Sequence, residues 1–228
     1  MPSPLLVAIE GNLATGKRSA VNYLQEYFGD SCLSFLEPLE KWRNFASPLS
    51  TMEQIQRWGS ESAPFNLLES LRDYPEENVV RMCLEKFNND WLNQTIAQAA
   101  VDKKIAVSER CMRSAIDVFA SQARDHVTDV DKTFLTRIYN ILGKVTPPLD
   151  LVIFLEASPD VTFNKIKKRA RAEEANITKE FVEEIEVKYE NLRFKMQEEG
   201  GNVAVVHTDG KTTDQINKEV LSIVQNYL

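Results

Sequence analysis

The sequence predicts an α/β domain built on a parallel sheet, and two observations lead to that prediction. Short apolar runs alternate with helical patterns along the 228 residues, and such alternation requires crossover connections between parallel strands. The first apolar run is followed by the spacing Gly-x-x-x-x-Gly-Lys, which is typical of a phosphate-binding turn between a strand and a helix. The length suits one domain with a sizeable core, so we predict a single domain over residues 1–228.

Apolar composition and turn residues place the individual elements. The predicted strands are Leu5–Ile9, Cys32–Leu36, Ile105–Val107, Leu149–Leu155 and Val203–Val206. The predicted helices cover Ser19–Phe28, Glu76–Ala100, two helices within Ala115–Leu142, and Thr178–Glu199. The segment 46–63 contains Pro48, Gly59 and many Ser and Thr residues, which indicates a loop or short helix inserted at the surface.

The turn after the first strand predicts a phosphate site. Gly11 and Gly16 allow a tight turn with its N–H groups pointing inward, the helix N-terminus adds positive potential, and Lys17 adds a cation. A chance glycine turn is the alternative. The residue after the lysine is normally Ser or Thr, whose hydroxyl binds Mg²⁺, but here it is Arg18. Either Ser19, one position later, replaces that hydroxyl or metal binding is impaired.

Charged residues follow the second and third predicted strands. Glu37 comes after the second strand, and Glu109 with Arg110 comes after the third. Ligands bind at the carboxyl ends of parallel strands, so these side chains are expected near the phosphate turn. A carboxylate there can accept a proton from a substrate hydroxyl or help to hold Mg²⁺, and an arginine can bind phosphate. Solvated charges at strand ends are the alternative.

Composition excludes some classes of protein. The net charge of −7 and the pI near 5.1 argue against a protein that coats nucleic acid. Three cysteines without metal-ligand spacing (Cys32, Cys83 and Cys111) indicate buried thiols in a reducing compartment. The first strand starts by residue 5, and no apolar run is long enough to span a membrane. We therefore expect a cytoplasmic protein, with a mitochondrial or nuclear location left open.

Two further stretches have alternative interpretations. Phe87 and Trp91 lie on an apolar helical stripe, which more often packs into a core than stacks on a base. Lys165–Glu174 is densely cationic, and such a run is usually a solvated helix face. Because it follows a strand of a phosphate-binding sheet, we favour a lid over about residues 165–176, whose Arg169 and Arg171 would close over a triphosphate.

Taken in order, four motifs resemble the deoxynucleoside kinase family. They are Gly11–Lys17, Glu37-Pro38 with Trp42, Glu109-Arg110, and Arg169-Ala-Arg171-Ala-Glu173-Glu174. The likeness covers nearly the whole chain and is greatest to the insect multisubstrate and mitochondrial thymidine kinase types, with the deoxycytidine kinase type also similar. It implies a P-loop NTPase-like three-layer sandwich with a five-stranded parallel sheet. It also implies a homodimer that moves the γ-phosphoryl group of ATP, with Mg²⁺, to the 5′-hydroxyl of a deoxynucleoside.

The resemblance also implies roles for individual residues. Glu37 matches the catalytic base, Arg110 the arginine beside it, and Glu109, with Ser19, the metal site. Glu174 matches the carboxylate that closes on the sugar. Residues that the family would use for ATP are Gly11, Asn12, Leu13, Ala14, Thr15, Gly16, Lys17, Arg18, Ser19, Arg169 and Arg171. Residues that it would use for the substrate are Trp42, Tyr74, Phe87, Asn88, Trp91, Ala115, Phe119 and Glu174.

Ala115 and Asn88 bear on specificity. Ala115 stands where thymidine-type members also have alanine, so thymidine or broad pyrimidine use is expected. Asn88 replaces a base-reading glutamine, and Trp91 replaces a smaller residue. With Arg18, these departures leave open a kinase-like structural or regulatory protein. A nucleoside monophosphate kinase is a third alternative, for which Arg72 and Arg113 are the obvious cations.

Overall fold

The computed structural model describes residues 3–40, 75–121 and 128–228. Several predicted features lie outside these ranges, namely the surface insertion 46–63, Trp42, Arg72 and Tyr74.

A parallel sheet of five strands forms the centre of the described part of the chain. The strand order is β2-β3-β1-β4-β5. The strands are β1 Leu5–Glu10, β2 Cys32–Phe35, β3 Ile105–Glu109, β4 Leu151–Glu156 and β5 Val203–His207. Each lies within two residues of a predicted apolar run, so the predicted sheet is confirmed. Because β1 pairs with both β3 and β4, the turn that follows β1 lies at the middle of the sheet's carboxyl edge.

Helices connect these strands. They are α1 Lys17–Phe28, α2 Pro75–Ala99, α3 Asp129–Val145, α4 Pro159–Arg169, α5 Lys179–Glu198 and α6 Thr213–Gln225. The predicted helix beginning at Ala115 differs in type, since a short helical segment, Met112–Ser114, continues as a π-helix over Ala115–Ala120. Among the described helices, none combines the length and the apolar character that crossing a bilayer requires.

The helices cover both faces of the sheet, which gives the predicted three layers. On one face, Val7 and Ile9 of β1 pack with buried residues of α1 and α6, including Leu24 and Val220. On the other face, Ala8 packs in a cluster with residues of α5 and the π-helix. Successive β1 side chains thus face opposite layers, as expected for a strand buried on both sides. The predicted α/β fold class is confirmed.

Close backbone packing shapes the turn after β1. Gly11 has a φ of 134°, and a Cβ atom there would lie 2.3 Å from the carbonyl oxygen of Leu155 in β4. Gly16 has a φ of 103°, with no atom within 4 Å of a Cβ built on it. Both positions therefore favour glycine, but only Gly11 is also restricted by a neighbouring strand.

This difference gives a prediction for two matched variants. Gly16→Ala should lower the free energy of unfolding by about 1–3 kcal/mol, because alanine rarely adopts a positive φ. Gly11→Ala should lower it by about a further 1–3 kcal/mol, because the methyl group meets Leu155. Urea denaturation of both variants measures the difference, and equal losses would contradict the packing described for Gly11.

Candidate active site

The turn after β1 is closed around one backbone carbonyl. The Nζ of Lys17 donates to the oxygen of Asn12 at 2.5 Å, and the Oγ1 of Thr15 donates to the same oxygen at 3.1 Å. Lys17 is only 4% exposed, so its ammonium group lies inside the curve of the turn. The loop thus holds a cation where the phosphate group was predicted.

The environment of Lys17 lowers the pKa of its side chain. Burial away from water lowers the pKa of Lys17 to about 7, and the charge of Arg110 acts in the same direction. The carboxylates of Glu109, Glu37 and Glu10 oppose this shift without cancelling it. An anion bound in the turn would stabilise the charged form of the lysine.

Helix α5 holds the turn from the other side. The Nδ2 of Asn12 donates to the carbonyl oxygen of Val182 at 3.0 Å and to Oε2 of Glu186 at 2.8 Å. Burial raises the pKa of Glu186 to about 7, with the charges of Glu156 and Glu190 adding to the effect. Asn12 is a predicted residue of the phosphate-binding loop, whereas its contact with α5 is not predicted by any local pattern in the sequence.

Glu37 and Arg110 form a buried ion pair at the edge of the sheet. The Nη1 of Arg110 lies 2.6 Å from Oε2 of Glu37. The Nε of Arg110 donates to the hydroxyl of Tyr189 at 2.9 Å, and its guanidinium lies 5.1 Å from the centre of the Phe119 ring. These contacts, from α5 and the π-helix, fix the orientation of the arginine.

The charges around Glu37 keep it ionised. Burial alone would raise the pKa of Glu37, but the positive charges of Arg110, Lys86 and Lys17 outweigh burial and hold the pKa below its ordinary value. A carboxylate that remains ionised near a phosphate site can accept a proton from a hydroxyl group. The structure therefore brings together Glu37, Arg110 and Lys17, which the sequence analysis had placed in one site.

Glu109 and Arg18 form a second pair next to the first. The Nε of Arg18 donates to Oε2 of Glu109 at 3.0 Å, and its Nη2 donates to the backbone oxygen of Glu37 at 2.6 Å. The backbone N–H of Glu37 also donates to Oε2 of Glu109 at 3.3 Å. The three residues are therefore linked in a ring.

This arrangement does not fit a metal ion held by Ser19 and Glu109. The carboxylate of Glu109 is paired with Arg18, and the hydroxyl of Ser19 accepts a hydrogen bond from Nδ2 of Asn217 at 3.2 Å. Within the described residues, no group of three or more His, Cys, Asp and Glu side chains is placed to hold a metal. Magnesium as the ion that accompanies ATP stays a prediction.

A layer of buried charges that was not predicted from the sequence lies behind this edge. Lys86 of α2 lies 2.7 Å from Oδ1 of Asp90, and its Nζ donates to the backbone oxygens of Glu109 and Arg110 at 3.3 Å each. Arg110 has a φ of 65°, an uncommon conformation for a residue with a side chain. Lys86 thus supports the bend that turns Arg110 toward Glu37.

Two carboxyl groups in this layer lack a full set of partners. Oε1 of Glu10 accepts the N–H of Cys111 at 2.7 Å, while Oε2 of Glu10 and Oδ2 of Asp90 have no hydrogen-bond partner among the described residues. Burial raises the pKa of Glu10, and it raises the pKa of Asp90 to about 7. The signal in the sequence was a Lys and an Asp four residues apart on an otherwise apolar helical stripe.

The predicted substrate residues fall into different environments. Phe87 is fully buried and packs with Ala115, and its ring lies 5.9 Å from that of Tyr139. Asn88 is exposed and Trp91 is half-buried. Phe119, which is partly buried, contacts Arg110 as described above, so it is the predicted aromatic residue that lies beside the charged edge.

The predicted lid is the end of α4 and the turn that follows it. Glu174, which is buried, is paired with Arg169, whose Nε lies 3.0 Å from Oε2, and with Arg171 at 3.7 Å. Arg169 and Arg171, the arginines predicted for a lid, therefore bind the same carboxylate that was predicted to close on the sugar. Arg113, the cation considered for a monophosphate acceptor, is paired with Glu199 and Asp117.

Comparison with known proteins identifies the family. The family model for "Deoxynucleoside kinase" matches residues 7–227. The chain is 24% identical over 195 residues to human mitochondrial thymidine kinase 2, covering 83% of this chain and 64% of that protein. It is 24% identical over 190 residues to mitochondrial deoxyguanosine kinase of Xenopus laevis, covering 81% and 71%. It thus spans slightly less than two thirds of the human relative, and over nearly its full length it belongs to the deoxynucleoside kinase family.

Proposed function

We propose that this protein transfers the γ-phosphoryl group of ATP to the 5′-hydroxyl of a deoxynucleoside, as a step in nucleotide salvage. The observation that carries this proposal is the ionised Glu37 carboxylate, held by Arg110 at 2.6 Å and close enough to Lys17 for the lysine charge to lower its pKa. A base, a fixed guanidinium and a phosphate-binding lysine are the groups that phosphoryl transfer to a hydroxyl requires.

Each group has one task in this reaction. Glu37 accepts the hydroxyl proton. Its Oε2 accepts a hydrogen bond from Arg110, which keeps the carboxylate oriented and charged. The loop from Gly11 to Lys17 positions the triphosphate, and Arg169 and Arg171 of the lid would add positive charge to the transferred group. In that closed state Glu174 would exchange its present arginine partners for the sugar.

For the substrate, we propose pyrimidine deoxynucleosides, with thymidine among them. Ala115, the first residue of the π-helix, is small and packs in one cluster with Phe87. A small side chain leaves room for a methyl group on a base, and Phe119 offers an aromatic ring for stacking. One relative is named for a pyrimidine nucleoside and the other for a purine nucleoside. Because these names do not agree on a base, the proposed preference for pyrimidines rests on the residues of this chain.

Arg18 and Asn88 favour a second candidate, a kinase-like protein that binds nucleotide but has lost transfer activity. Arg18 engages the carboxylate predicted for the metal, and Asn88 replaces the longer base-reading side chain. A monophosphate acceptor is less favoured, because the charge of Arg113 is balanced by Glu199 and Asp117.

We further propose that the protein is a homodimer joined through α3. Four apolar residues recur along one side of this helix, Val130, Phe134, Ile141 and Val145, and they are 45–78% exposed. Their spacing places them within one stripe of a helix with 3.6 residues per turn. Exposed apolar residues on one side of a helix favour an interaction surface, and a second copy supplies a matching stripe through two-fold symmetry.

The catalytic role of Glu37 is tested by Glu37→Gln. Its rate of transfer from radiolabelled ATP to thymidine should fall about 10²–10⁴-fold, because the variant lacks a base, while ATP affinity stays unchanged. The other three deoxynucleosides and thymidine monophosphate are assayed in parallel. Glu40→Gln, at an exposed position three residues further on, is the matched control and should keep full activity. Unchanged transfer by Glu37→Gln would refute the assignment of Glu37 as the base. Transfer to thymidine monophosphate alone would identify the protein as a nucleoside monophosphate kinase.

The lowered pKa of Lys17 gives a pH prediction. At about pH 8 the lysine of the free protein is mostly neutral, since its pKa is about 7, whereas bound phosphate favours the ammonium form. ATP binding should therefore take up about one proton at that pH, and the affinity should fall as the pH rises above the pKa. Calorimetry in buffers of different ionisation enthalpy measures the uptake.

Lys17→Arg is the control for this measurement, because arginine stays charged and should bind without taking up the proton. A wild-type protein that binds ATP with no proton uptake would contradict the lowered pKa.

The dimer is tested by sedimentation. Ile141→Glu should convert a dimer into a monomer at micromolar concentration, because a charge within the apolar stripe would be buried without a partner. Val187→Glu changes a similarly exposed valine on α5 and should leave the dimer intact. A wild-type monomer, or equal behaviour of the two variants, would exclude α3 as the contact.

A further inference from the structure

Arg18 occupies an unexpected place in a phosphate site. It follows the lysine of the turn, where a Ser or Thr hydroxyl normally binds Mg²⁺. Instead of turning away to solvent, its guanidinium bonds to the Glu109 side chain at 3.0 Å and to the Glu37 backbone oxygen at 2.6 Å. The side chain is still 36% exposed, so a ligand can reach it.

The partners of Arg18 are the groups that a metal ion would need. Mg²⁺ is held in proteins through carboxylate oxygens, and the Glu109 carboxylate at this edge is already paired with Arg18 and with the N–H of Glu37. A divalent ion bound to Glu109 would lie within a few ångströms of the Arg18 guanidinium and within the electrostatic influence of Lys17, and the positive charges would repel one another. The charge balance therefore favours the arginine alone.

The guanidinium can also perform the electrostatic part of the metal's task. It has five N–H donors in a planar fork, and the two bonds to Glu109 and Glu37 leave others for phosphate oxygens. Arginine binds phosphate in this forked manner and stays charged at any physiological pH. Together with Lys17, it places two cations at the end of the turn.

We propose that Arg18 takes the place of the divalent cation at this site, so that the protein binds ATP without Mg²⁺. The inference depends on the proposed function only in taking ATP as the ligand, and it holds whether or not transfer follows.

A reversed metal dependence follows from this proposal. Mg²⁺ binds ATP in solution and neutralises two of its negative charges, so a site that offers cations but no ligand to the ion should bind free ATP at least as well as the magnesium complex. By linkage, adding Mg²⁺ should then leave the apparent affinity for ATP unchanged or weaken it. A protein that coordinates the ion shows the opposite response, because the metal adds contacts to the complex.

The experiment measures ATP affinity by isothermal titration calorimetry in excess EDTA and in excess MgCl₂. Wild-type protein should bind ATP in EDTA at least as tightly as in MgCl₂. Arg18→Ser restores the hydroxyl and releases Glu109, so it should bind ATP weakly in EDTA and about tenfold more tightly in MgCl₂. Lys104→Ser also removes one positive charge, at an exposed position before β3 on the opposite edge of the sheet, and should behave like wild type.

Each outcome decides the inference. Wild-type binding that requires Mg²⁺, or no ATP binding under either condition, overturns it, and neither result depends on the folding of a variant. An Arg18→Ser protein that folds and binds ATP equally in both conditions also overturns it, because Arg18 is then only a structural partner of Glu109.

The same samples separate this inference from the proposed function. Tight binding in EDTA with no phosphoryl transfer to any deoxynucleoside supports the role of Arg18 and refutes the kinase proposal. A wild-type protein that transfers phosphate but needs Mg²⁺ to bind ATP supports the kinase proposal and refutes the role of Arg18.

Discussion

The ion pair between Glu37 and Arg110 is the interaction on which the rest of the site depends. Both side chains are largely removed from water, with 9% and 7% of their side-chain surface exposed. A buried charge is costly unless a partner compensates it, so each of the two residues requires the other. The hydroxyl of Tyr189, the ring of Phe119 and the carbonyl contacts of Lys86 then hold the arginine in place. Removing either charge would take away the nearest partner of the other and leave it to the more distant charges, which are Lys86 and Lys17 for Glu37 and Glu10 and Glu109 for Arg110.

The sequence was sufficient to predict the sheet and the residues that gather at its edge. Apolar runs predict buried parallel strands because both faces of such strands are covered. Since the carboxyl ends of parallel strands meet at one edge, Glu37, Glu109 and Arg110 could be placed beside the glycine turn. That prediction required only the positions of the strands along the chain and the identity of the residues that follow each strand.

The remaining features depend on three-dimensional contacts that no local pattern specifies. Lys86 and Asp90 lie on a helical stripe that predicts a core, and only the approach of α2 to the end of β3 makes their charges part of the site. The π-helix over Ala115–Ala120 has the same composition as an ordinary helix. The partners of Arg18 could not be inferred either, because an arginine after the lysine could equally have turned toward solvent.

The site joins parts of the chain that are far apart in sequence. The partners in the Glu37–Arg110 contact are separated by 73 residues, and those in the Asn12–Glu186 contact by 174. Closing such long loops costs chain entropy before any contact compensates for it. A chain that has formed only its first strands and helices therefore has the glycine turn but not the helix that fixes it. The contacts that fix the glycine turn therefore need the chain as far as Glu186, and an N-terminal fragment ending before α5 would have the turn without the helix that supports it.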